Sequence, residues 1–105
     1  MIADKLKPPY YAVIFTSLLT DETDGYIEAA QHMATLAKDQ EGYLGLESAR
    51  EKIGITVSYW DSLEAITKWK NNLEHTVIRG KGRATWYKQY QLRICKVERE
   101  YGFKK

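Results

Sequence analysis

The sequence predicts an α+β domain in the order β-α-β-β-α-β, and three features carry that prediction. Four stretches alternate or are dense in β-branched and aromatic residues. Two stretches repeat apolar residues at spacings of three and four, and turn-formers stand at the joins. An order of this kind gives a four-stranded antiparallel sheet with two helices on one face, the split-βαβ or ferredoxin-like arrangement.

Each element follows from its residues. Pro8 and Pro9 disfavour helix and deliver the chain extended into YYAVIFTSLL, strand one, from Tyr10 to Leu19. Asp21 to Asp24 supply helix-start residues. Tyr26, Ala30, Met33, Ala34 and Ala37 then recur at helical spacing, which predicts helix one over 24–40. Glu41-Gly42 breaks it, and YLGLESAR alternates as strand two, with Leu44, Leu46 and Ser48 on one side. A turn over 51–54 leads to ITVSYW, strand three, paired with strand two as a hairpin. Asp61 with Glu64 reads as a variant capping box opening helix two, whose apolar stripe is Leu63, Ile66, Trp69, Leu73 and Val77. Gly80 and Gly82 end that helix. WYKQYQLRICKVE is the final long strand, with Tyr90, Leu92 and Ile94 facing one way.

Bulk properties bound the function. The 105 residues fit a single domain spanning 1–105, and 44% hydrophobic with 29% charged residues is a globular composition. Sixteen Lys and Arg against fourteen Asp and Glu leave +2, a balance that announces neither nucleic acid nor a membrane surface. A lone cysteine, Cys95, offers no internal disulfide and no zinc cluster, and mid-strand it reads as packed rather than nucleophilic. The N-terminal stretch has no signal-peptide order, so a cytoplasmic protein without a membrane span is expected.

One copy of this sheet is incomplete. Strand one places Ala12, Ile14 and Leu18 on one face and Val13, Phe15 and Leu19 on the other, and strand three sets Ile55, Val57 and Tyr59 against Thr56, Ser58 and Trp60. Two helices cover one face, and the other would be an apolar patch of the kind that marks an interface. The expected cover is a second copy, two sheets face to face in a barrel-like homodimer, with Tyr101 and Phe103 of the C-terminal stretch reaching across.

With this order, a two-faced sheet, and YWDSLEAITKWKNNLEH leading into GRATWYKQYQLRI, the chain resembles the antibiotic biosynthesis monooxygenase family of dimeric α+β barrels. The likeness covers nearly the whole domain. It implies a homodimer with a cavity between sheet and helices in each subunit. The activity it implies is a cofactor-independent monooxygenase acting on a small flat aromatic, a quinol or polyketide-like molecule, with no metal or flavin. Two alternatives travel with it: haem binding and degradation, and a non-catalytic dimeric small-ligand-binding or stress protein. Trp69 matches the cavity tryptophan of several oxygenase members. Two positions depart from known branches: Ala65 stands where the polyketide oxygenases carry an asparagine, and Arg79 where the haem-degrading branch carries its axial histidine.

Five residues form the expected site. His75, six residues after Trp69, can accept a proton, hydrogen-bond a phenol or ligate haem iron, and so is the catalytic candidate together with Trp69, which would stack on a flat ring. Asn72, Tyr59 and Tyr90 are the substrate-binding candidates, offering an amide and two hydroxyls to a substrate oxygen. His32, beside Gln31 and Met33, reads as a surface residue. Arg79, Lys81 and Arg83 surround two glycines, but the helix precedes the glycines instead of following them, so the segment reads as a solvated hinge and not a phosphate loop. Trp86, Tyr87 and Tyr90 read as barrel and interface packing.

Overall fold

The computed structural model describes residues 2–74 and 85–105, apart from the side chains of 73 and 74. Six elements follow the expected order: β1 (Tyr10–Leu19), α1 (Tyr26–Lys38), β2 (Tyr43–Arg50), β3 (Gly54–Trp60), α2 (Leu63–Glu74) and β4 (Tyr87–Val97). The strands lie in the order β2-β3-β1-β4 with every neighbouring pair antiparallel. The chain therefore has the ferredoxin-like α+β fold.

Alternation along β1 sorts its side chains. Tyr11, Val13, Phe15 and Ser17 point toward the helices, and Tyr10, Ala12, Ile14, Thr16 and Leu18 toward the open face. The core sits on the helix side, where Trp60 is wholly buried against Ala65 and Ile66, with Tyr11, Val13, Tyr43 and Trp69 packed around them. Its indole N–H donates to Ser58 Oγ at 2.9 Å, which satisfies the one polar atom such a ring brings inside. α1 packs on β2 and α2 on β3.

Both helix starts differ from expectation. α2 is capped by Ser62, whose Oγ accepts the backbone N–H of Ala65 at 3.1 Å, so the box expected of Asp61 and Glu64 does not form. The backbone N–H of Asp61 instead donates to the carbonyl of Gly42 at 2.8 Å and ties the end of β3 to the start of β2. At Gly42, φ is +86°, and a side chain there would run into Asp61 and Ala65, so glycine is required. Leu63 is 48% exposed, and Ala65 takes the core position the stripe assigned to it. α1 begins without a side-chain cap from Asp21 or Asp24: Gly25 turns the chain in the left-handed region instead.

β4 departs from regular pairing at one point. Leu18 faces Gln89 but Leu19 faces Tyr87, so β4 carries one residue, Lys88, more than β1 there. Tyr87 and Tyr90, three apart in sequence, consequently fall on the same face of the sheet.

The open face is partly tied down by both ends of the chain. Tyr59 donates its hydroxyl to Glu47 at 2.5 Å, the backbone N–H of Ala3 donates to the same carboxylate at 2.9 Å, and Tyr10 donates to Glu100 at 2.7 Å. Beside that network Ile55 is 45% exposed, with Val57, the cross-strand partner of Glu47, and Ile14 and Leu18 half-buried. Cys95 also lies on this face, opposite Ala12 on the edge strand, and is exposed instead of packed because no element covers β4 there among the described residues. No helix among the described residues is long and apolar enough to cross a membrane.

Candidate functional site

The helix-facing surface of the sheet carries two aromatic groups. The first surrounds Trp69, whose ring stacks on Trp60 with centroids 5.8 Å apart and planes inclined 28°, while Tyr43 meets Trp60 edge-on. Trp69 is thus held as a half-buried wall of the core. Asn72, also half-buried, follows one turn later on the same flank of α2.

The second group is built by the extra residue of β4. Phe15 meets Tyr87 at 5.4 Å and Tyr90 at 5.3 Å, the two tyrosine rings lie 5.7 Å apart, and Tyr26 of α1 approaches Tyr87 and Trp86 edge-on. Trp86 is buried, donating its indole N–H to the carbonyl of Asp24 at 2.9 Å, so it pins the approach to α1. Burial, first, and then its hydrogen bond and proximity to Tyr26 push the Tyr87 phenol well above the usual range, against an opposing pull from Arg50. It remains a neutral hydroxyl.

Arg50 reaches this group from the end of β2. It donates from Nη2 to Ser17 Oγ and, at 3.3 Å, to the Tyr26 hydroxyl, with its guanidinium carbon 5.5 Å from the centre of the Tyr26 ring. Sequence reading passed over this arginine. Its inward turn depends on Gly54, its cross-strand partner, where any side chain would occupy the guanidinium's place.

The expected site residues therefore separate. Trp69, Asn72 and Tyr90 share the helix side of the sheet. Tyr59 does not: it pairs with Ala12 on the open face, where it is bonded to Glu47 and meets the Tyr10 ring edge-on at 5.8 Å. Strand alternation puts it across the sheet from Trp69, so the two cannot line one cavity. His75, Arg79, Lys81 and Arg83 lie outside the described residues, as do Gly80 and Gly82. His32 is exposed on α1.

The antibiotic biosynthesis monooxygenase family model matches residues 9–81. An uncharacterised Bacillus subtilis (strain 168) protein, YqjZ, is 51% identical over 96 residues, which cover 90% of this chain and 84% of that protein. Among solved structures, SnoaB of Streptomyces nogalater, described as a cofactor-independent oxygenase, shares the fold with a TM-score of 0.74 at 9% identity, covering 88% of this chain and 96% of its own. A conserved protein of Methanosarcina mazei Go1 does so with a TM-score of 0.72 at 11% identity, over 83% of this chain and 91% of its own.

Proposed function

Because this chain belongs to the antibiotic biosynthesis monooxygenase family, we propose that it is a monooxygenase acting, as a homodimer and without a bound metal, flavin or haem, on a small flat aromatic such as a quinol. The observation that carries this reading is the helix-side surface itself, where Trp69 on its Trp60 backing and the Phe15, Tyr87 and Tyr90 rings offer stacking surface to a planar molecule. The likeness to SnoaB supports the absence of a cofactor.

On this reading Trp69 holds the substrate ring, Asn72 and Tyr90 orient its oxygens, and His75 takes the phenolic proton. The resulting anion is electron-rich enough to reduce O2. One oxygen atom enters the product and the other leaves as water, and the substrate supplies all four electrons and the two hydrogens of that water. Rings around the substrate keep bulk water from the reduced intermediate. Tyr59, on the other face, has no part in it.

Oxygen uptake by the purified protein with a panel of quinols and polyhydroxylated naphthalenes tests the reading. Uptake is expected without added metal or flavin, and His75→Ala is expected to lower it by about a hundredfold, the ordinary scale of a lost general base. Equal rates in the two proteins would remove His75 from the mechanism. Affinity for the panel with turnover of none of it would leave a protein that binds ligands without oxidising them, and a Soret shift on mixing with haem would replace the reading with a haem protein.

A further inference from the structure

Among the described residues Arg50 is a charge without a counter-charge. Its partners are the neutral hydroxyls of Ser17 and Tyr26, and it forms no ion pair with a carboxylate among the described residues. Both of those bonds leave from Nη2. Nε and Nη1 have no hydrogen-bond partner among the described residues, and neither is fully buried. The neighbouring Tyr87 does not supply a negative charge either, since burial holds its phenol protonated.

The surroundings suit a planar anion. Arginine is weakly hydrated for a cation, stacks on rings and forms charge-assisted hydrogen bonds roughly twice as strong as neutral ones. Along β1, Val13 beneath the Trp69 group and Ser17 beneath Arg50 are four residues apart, about 13 Å, with Phe15 between them. A flat molecule laid over Phe15 would present one edge to Tyr90 and its end to the guanidinium.

We propose that Arg50, seated by Gly54 and steadied by Ser17 and Tyr26, is the anion-binding residue of the site and receives an ionised oxygen, phenolate or carboxylate, of an aromatic ligand. The assignment rests on the reading of this surface as an aromatic-substrate site and adds the charge state of what it takes. For an oxygenase that must form a phenolate, a fixed guanidinium at the oxygen makes that proton easier to remove.

Two probes decide it, 4-nitrophenol at a pH where it is ionised and its neutral analogue 4-nitroanisole, titrated by fluorescence quenching and calorimetry. Wild-type protein should bind the phenolate at least about tenfold more tightly than the anisole, the worth of one charge-assisted hydrogen bond. Arg50→Gln should abolish that preference, and Arg50→Lys, which guards against a folding defect in the first variant, should retain part of it. Gly54→Ala keeps the charge but displaces it, and should behave like Arg50→Gln. Equal binding of the two probes by wild type, or a preference that survives Arg50→Gln, would overturn the assignment while leaving an aromatic site in place. Binding of neither probe would also overturn it, and oxygen uptake would then judge the wider reading separately.

Discussion

Glu47 accepts hydrogen bonds from two directions, the Tyr59 hydroxyl and the Ala3 backbone, and that contact adds to what burial already does to Tyr59. Burial first, then the hydrogen bond and charge of Glu47, raise the Tyr59 phenol from 10.0 to about 12, and burial with Glu100 does the same for Tyr10. Both phenols hold their protons more tightly in the folded chain than in the unfolded one. Their contribution to stability is therefore complete below pH 10 and is lost between pH 10 and about 12. Thermal melts across that window should show a falling midpoint. In an ultraviolet titration, Glu47→Gln should bring Tyr59 part of the way back toward 10.0, since burial stays; an unchanged Tyr59 would deny Glu47 its role. The face on which Tyr59 lies was legible from the alternation of Ile55, Val57 and Tyr59 against Trp60. Its candidacy as a substrate ligand came from its hydroxyl alone, and a hydroxyl says nothing about which side of a sheet it is on.

At the scale of elements, strand limits were legible where composition changes sharply. Pro9 before Tyr10 and Gly42 before Tyr43 mark true starts, and β1 and β2 run over the expected residues. Helix starts were less legible because Asp21, Asp24, Asp61 and Ser62 are all competent caps, and the choice among them is made by the incoming chain. Asp61 spends on Gly42 the backbone N–H that Glu64 would accept in a capping box, and the cap of α2 is Ser62. Ser62→Ala should cost about 1 kcal/mol and lower the melting temperature by roughly 4–8 °C, and Ser62→Asp should restore most of it. A melt unmoved by Ser62→Ala would show that Asp61 takes over. Arg50 was illegible for a related reason: that position 54 faces it is a fact of hairpin register, set by where the turn over 51–54 closes.

For the whole molecule, the open face sets the expectation. The termini occupy part of it through Ala3 and Glu100, while Ile14, Leu18, Ile55 and Val57 remain only partly covered. A second copy seated over those side chains would bury them, and Tyr101 and Phe103, 87% and 90% exposed, stand where a partner could receive them. Sedimentation analysis should find a dimer, and Ile55→Glu should produce a folded monomer by placing an unpaired charge in the contact. A wild-type monomer would refute the assembly. The one-residue excess at Lys88 carries a different consequence, written in the gene as a single codon. Losing that codon would oblige either the segment before it or the whole strand after it to exchange faces, dispersing the rings gathered at Phe15. A descendant with that deletion would keep its ancestor's architecture but not the aromatic surface gathered at Phe15, so a change too small to register in a superposition would remake one whole face of the sheet.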